Sequence, residues 1–264
     1  MMTPVVIATA SVAIIGLLIG LMLVSVGRKF AVEVDEKEAA VRSFLPGNNC
    51  GGCGYAGCDA LAAAIIKGEA SISGCPVGGE PVAEKIASVM GIEAGHMDRK
   101  VAFVKCAGDC EAALKKANYV GIQDCGIAVS NGLTDKSCSY GCLGFGTCVK
   151  ACPFDAIHIV NGVARVNRRK CKACGKCVAI CPKHLIEIIP DKAQYAVRCS
   201  SPEKGPAVKK ACSAGCIGCS LCVKQCESDA VQVTSSLAKI DYEKCVHCGK
   251  CAEKCPAKVI EKRY

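Results

Sequence analysis

The spacing Cys-x2-Cys-x2-Cys-x3-Cys-Pro occurs twice in this chain, at Cys171, Cys174, Cys177, Cys181 and Pro182 and again at Cys245, Cys248, Cys251, Cys255 and Pro256. Thiols that dense are either cross-linked or ligate metal, and either role constrains the backbone around them. In all there are 25 cysteines in 264 residues, with only 4% aromatics and no tryptophan. The 51% hydrophobic content counts every cysteine as apolar, so the large side chains that usually dominate burial are scarce. An ordinary globular enzyme is excluded, and something besides a large core must hold the chain together.

Compartment decides between disulfides and metal. Val5 to Val26 is an uncharged run of 22 residues, long enough to cross a bilayer as a helix. A secretory signal would carry positive charge before a shorter apolar stretch, whereas here Arg28 and Lys29 come after it. The alternative, a buried core helix, has no other segment to wrap it. Because positive charge stays inside, residues 1–27 are read as a single-pass anchor in the cell (inner) membrane. Everything from Gly27 onward then lies on the cytoplasmic side. Persistent disulfides do not form in that reducing compartment, which leaves metal ligation.

Along the chain, a polar, helix-favouring stalk is expected at 28–45, ended by Pro46 and Gly47. Residues 46–100 form a small cysteine-rich unit. Residues 101–193 and 194–264 are copies: CSYGCLGFGTCVKAC from Cys138 aligns without gaps on CSAGCIGCSLCVKQC from Cys212, and AFVKC ending at Cys106 resembles AVRC ending at Cys199. A repeat that keeps its punctuation indicates tandem modules. Each copy holds a hairpin pattern between two cysteine groups. In the first it is AIHIVNGVARVN, with Asn161-Gly162 suited to a type I′ turn, and in the second AVQVTSSLAKID.

The repeated spacing is the bacterial ferredoxin run for a [4Fe-4S] cluster, in which three cysteines hold one cluster and the fourth crosses to another. Two-residue gaps let successive thiolates wrap one cluster and aim backbone N–H groups at its sulfurs. Zinc held by two CxxC pairs is the rival chemistry. The crossing rule joins Cys171, Cys174 and Cys177 with Cys152, and Cys142 and Cys148 with Cys181. In that second set Phe145 stands where a regular run has cysteine, so Cys138 is expected to supply the fourth thiolate. In the other module Cys216, Cys219 and Cys222 are expected with Cys255, and Cys245, Cys248 and Cys251 with Cys226. The repeat alignment offers Cys212 in place of Cys219. In the N-terminal unit, Cys50, Cys53 and Cys58 form a glycine-rich cradle, closed by Cys75 after a sixteen-residue gap. It is read as a further [4Fe-4S] site, with a [2Fe-2S] cluster as the alternative.

Five [4Fe-4S] clusters leave Cys106, Cys110, Cys125, Cys199 and Cys212 over. Buried free thiols account for these; a sixth site built from Cys106, Cys110 and Cys125 is the alternative. The expected fold class is α+β: a single N-terminal transmembrane helix, a small Cys-rich [4Fe-4S] domain, and two tandem bacterial-type two-cluster ferredoxin modules. His96, His158, His184 and His247 show no ligand spacing. The basic residues Arg168, Arg169, Lys170, Lys172 and Lys176 are either a dock for an acidic partner or a solvated face. GCLGFG lacks the flanking strand and helix of a phosphate loop, and no catalytic residue is expected.

The order of an apolar N-terminal helix, PGNNCGGCGYAGC and then cubane runs resembles, over essentially the whole chain, the B subunits of Rnf-type ion-translocating ferredoxin:NAD oxidoreductases. The resemblance implies a subunit that takes electrons from reduced ferredoxin and passes them to flavin-bearing partner subunits that reduce NAD and move Na⁺ or H⁺. The rivals are a polyferredoxin subunit of another membrane redox complex, such as a hydrogenase or formate-oxidising system, and a zinc-binding structural protein. The formal charge of +9 on its face suits nucleic acid. Five oxidised clusters with their thiolates, at roughly −2 each, bring it near −1, so no nucleic-acid partner is expected.

Overall fold

The computed structural model describes residues 3–29, 35–96, 98–132 and 134–263. Helix α1 spans Thr3–Lys29, and its apolar side chains stand in the open: Val12, Leu17 and Met22 are each at least 66% exposed. Among the described residues no helix is long and apolar enough to cross a membrane. The unbroken run of described side chains along α1 covers only 12–27, and the expected anchor from Val5 to Val26 falls partly outside it.

The start of the expected stalk, 30–34, lies outside the described residues. The remainder of that segment is helical and packed. Helix α2 (Glu36–Phe44) packs against α3 (Cys58–Ile66) and α4 (Gly79–Met90). Val41 and Leu45 are buried beside Leu61, Ile65 and Ile86. The spacing of Val41 and Leu45 gives α2 one narrow apolar stripe, which its many charged residues hide in a composition reading. Arg42 adds an ion pair to Asp59 at 2.6 Å.

The two copies fold alike. In the first, β1 (Lys100–Val104) leads through α5 (Cys125–Ser130) and α6 (Thr147–Lys150) to β2 (Ile157–Val160), β3 (Val163–Val166), α7 (Lys176–Ile180) and β4 (Ile186–Pro190). The second runs β5 (Tyr195–Val197), α8 (Gly205–Ala211), α9 (Leu221–Lys224), β6 (Val231–Thr234), β7 (Leu237–Ile240), α10 (Lys250–Glu253) and β8 (Ile260–Lys262). In each, the outer strands pair antiparallel, Val101 opposite Ile189 and Ala196 opposite Glu261, while the inner strands form a hairpin. Asn161 and Gly162 both take positive φ, 48° and 74°, matching the strand twist as a type I′ turn does.

The cores are thin. Val101, Ile157, Val163, Leu185 and Ile189 fill the first with small alanines between them, and Val197, Val231, Val259 and Ile260 fill the second. Buried cysteines take the rest of the space, Cys142, Cys148, Cys171 and Cys177 in one and Cys216, Cys222 and Cys251 in the other.

Candidate metal centres

Four one-turn helices, α6, α7, α9 and α10, each bury one cysteine: Cys148, Cys177, Cys222 and Cys251. Around them the chain gathers further thiols. Cys152, Cys171, Cys174 and Cys177 line one cavity. The backbone N–H of Ala156 donates to Cys152 Sγ at 3.4 Å and that of Ala102 to Cys171 Sγ at 3.3 Å. Burial pushes the Cys177 thiol up to about 12, with Cys171, Cys174 and Cys152 close enough to add to the shift. In the second module Cys216, Cys219, Cys222 and Cys255 line another cavity. Burial raises Cys251 to about 11, and Cys245, Cys226 and Cys248 stand near it. The N–H of Ala230 donates to Cys226 Sγ at 3.3 Å. Cys219, not Cys212, stands with Cys216 and Cys222.

The remaining set of the first module departs from the sequence reading. Cys142, Cys148 and Cys181 share their cavity with Cys125, and Cys138 is not among its lining residues. Cys125 opens α5 within 107–137, a segment of 31 residues where the second module has only the 12 of 200–211. Asp124 caps this helix by accepting from the N–H groups of Gly126 and Ile127 at 2.8 and 3.0 Å. Its other oxygen accepts from the Thr147 hydroxyl at 3.0 Å, and the Cys125 N–H donates to Thr147 Oγ1 at 2.8 Å. The inserted segment is thereby tied to α6. The Tyr119 ring packs on Phe145 with centroids 4.8 Å apart, so the residue that interrupts the cysteine run anchors the segment that brings Cys125 to this cavity. The extra length together with Phe145 was the available signal. Cys138 lies instead with Cys199 and Cys212 on a separate cavity.

In the N-terminal unit Cys58 and Cys53 lie close to Cys75, whose sulfur accepts from the Gly78 N–H at 3.3 Å. Cys50 is on the same loop, close enough to Cys174 of the first module to act on its thiol. Asn49 Oδ1 accepts the Cys58 N–H at 2.8 Å, which caps α3 and folds the loop back. A Cβ on Gly52 would fall 2.7 Å from the Cys174 carbonyl oxygen; glycine permits that contact between the two units.

Among the described residues no three Cys, His, Asp or Glu side chains converge on a single-ion site. The thiols surround spaces rather than points, and backbone N–H groups face their sulfurs. That donor set fits iron–sulfur clusters, whose sulfur ligands are hydrogen-bonded in this way. Three of the other candidates form ordinary pairs. Arg168 binds Asp191 at 2.7 Å, Lys170 binds Asp155 at 2.6 Å, and His96 meets Glu80 at 2.9 Å. His247 Nδ1 stands 3.7 Å from Cys245 Sγ.

An Fe-S cluster family matches residues 45–77, and two 4Fe-4S dicluster domain families match 134–182 and 215–259. Over 261 residues, 98% of this chain and 78% of the relative, it is 44% identical to the B subunit of the Na(+)-translocating ferredoxin:NAD(+) oxidoreductase complex of Acetobacterium woodii. It is 42% identical to the B subunit of the ion-translocating oxidoreductase complex of Methanosarcina acetivorans over 96% of this chain and 97% of that one. The chain belongs to the B-subunit family of ion-translocating oxidoreductase complexes. Another member, the B subunit of the proton-translocating ferredoxin:NAD(+) oxidoreductase complex of Clostridium ljungdahlii, is 42% identical over 98% of this chain and 93% of its own. The three domain matches take in the runs around Cys50, Cys171 and Cys245. Cys106, Cys125, Cys199 and Cys212 fall outside all of them.

Proposed function

We propose that this chain is the iron–sulfur electron-transfer member of a membrane-bound ferredoxin:NAD oxidoreductase complex. It accepts electrons from reduced ferredoxin and passes them to flavin-bearing partner subunits. When bound, the [4Fe-4S] clusters supply one-electron acceptance and release at potentials set by hydrogen bonding and exposure. The chain's own residues bury the thiols, direct N–H groups at them, and hold neighbouring sets in contact. That last feature carries the reading: Gly52 rests on Cys174, and α6 packs beside α7 and α9 beside α10, which brings Cys148 near Cys177 and Cys222 near Cys251.

On this reading the sets are Cys50, Cys53, Cys58 and Cys75; Cys152, Cys171, Cys174 and Cys177; Cys125, Cys142, Cys148 and Cys181; Cys216, Cys219, Cys222 and Cys255; and Cys226, Cys245, Cys248 and Cys251. Helix α1 anchors the chain in the membrane with Arg28 and Lys29 at the cytoplasmic face. One helix forms no ion path, so translocation belongs to the partners. Iron and acid-labile sulfide analysis of the anaerobically purified chain tests the chemistry. Iron and sulfide in equal amounts, at least about twenty of each per chain, are expected; stoichiometric zinc with little iron would sink it.

A further inference from the structure

We propose that Cys106, Cys138, Cys199 and Cys212 hold one more iron–sulfur cluster, placed at the seam between the two modules with two ligands from each. The inference rests on the electron-transfer reading above. Cys106 follows β1 as Cys199 follows β5, and Cys138 aligns with Cys212. The two copies therefore contribute the same pair of positions, related as the modules themselves are.

The four thiols converge. Cys138, Cys199 and Cys212 line one cavity with Gly108 and Arg198. The position a Cβ would take on Gly108 lies 3.1 Å from Cys212 Sγ and 3.8 Å from Cys106 Sγ, so the backbone passes close to both sulfurs. All three partners are near enough to act on the Cys212 thiol. The seam is stitched by backbone: Ala113 bridges Cys212, Leu114 N–H donates to Ala211 O at 3.0 Å, and Ser213 N–H donates to Ala112 O at 2.8 Å.

One buried cation, Arg198, and one carboxylate, Glu203, line the site. Arg198, 5% exposed, sends Nη2 to the Cys106 carbonyl at 2.7 Å and pairs through Nη1 with Glu261. Backbone donors reach the sulfurs. Cys142 N–H donates to Cys106 Sγ at 3.4 Å, Ser201 N–H donates to Cys199 Sγ at 3.5 Å, and the Cys216 backbone lies beside the Cys199 thiol. Cys142 and Cys216 belong to the sets on either side, so the seam site touches both and fills what is otherwise the break between the two modules. It adds no net chemistry: one electron arrives from one flanking set and one leaves to the other.

Native mass spectrometry of the full-length chain, purified anaerobically in detergent, counts clusters directly. Six are expected, or about twenty-four irons per chain. Cys138→Ser and Cys212→Ser are each expected to drop the count to five, while Cys110→Ser, in the same inserted segment but facing the Gly162 turn, keeps six. Five clusters in the natural chain, or a zinc ion as the sixth centre, overturns the seam site and leaves the electron-transfer reading standing. Zinc throughout overturns that reading instead. Should a variant lose every cluster through misfolding, the natural chain's count decides alone.

Discussion

Lys136 is only 4% exposed, yet its ammonium donates to the carbonyls of Gly108 at 2.8 Å and Gly162 at 2.9 Å. It fastens the loop after Cys106 to the hairpin turn. Lys136→Met removes both donors from buried acceptors, and denaturant unfolding should show a loss of about 2–4 kcal/mol; a loss under about 0.5 kcal/mol would mean that water replaces the ammonium. The thiols make a second residue-scale prediction. Metal binds thiolates, so cluster assembly must expel the thiol protons and metal competes better as pH rises; burial, which holds Cys148 and Cys177 up to about 12, adds to that cost as the chain closes around the cluster. Reconstitution of the chain with iron and sulfide should therefore be faster and more complete at pH 9 than at pH 7, and a flat pH profile would contradict it. At this scale the cysteine runs were legible because their spacing is local. Cys125 was not, because its partners are brought to it by a cap, a hydroxyl and a ring contact that no spacing encodes.

Helix α5 exists because Asp124 caps it, and it positions Cys125 because Thr147 ties that cap to α6. Asp124→Ala should cost the chain the cluster of the Cys125 set, about four irons, while Asp124→Asn, which still caps, keeps most of it. Unchanged iron in the alanine variant would mean that Cys125 is held by other contacts. The Asp124 carboxyl is held below its usual range, chiefly by the Ile127 N–H. Its stabilisation is thus present above the ordinary carboxylate range and lost as pH falls through the lowered value. Gly52 makes the matching prediction at the contact between units. Gly52→Val should leave every cluster in place yet slow electron passage between the N-terminal unit and the first module by at least tenfold, read by anaerobic stopped-flow; equal rates would show that contact to be unimportant. The hairpins were legible from Asn161-Gly162 and its counterpart. The packing of α2 was not, because two apolar residues among charged ones decide it.

For the molecule as a whole, thin aliphatic cores and a positive formal charge have one explanation. The space that aromatic side chains would fill is given to buried thiols, and metal binding to those thiols supplies folding free energy. The lysines and arginines near them offset the clusters. A chelated, cluster-free chain should accordingly unfold or expand, seen as a loss of near-ultraviolet dichroism and a larger hydrodynamic radius. The repeat was legible in outline, but the seam between its copies was not: Cys106, Cys138, Cys199 and Cys212 are far apart in sequence and meet only because the modules dock. The most direct test of electron relay is anaerobic mixing of the full, cluster-loaded chain with reduced ferredoxin while its visible absorbance is followed. Bleaching of the clusters in step with ferredoxin oxidation is the predicted result. Clusters that stay oxidised while ferredoxin stays reduced would contradict it.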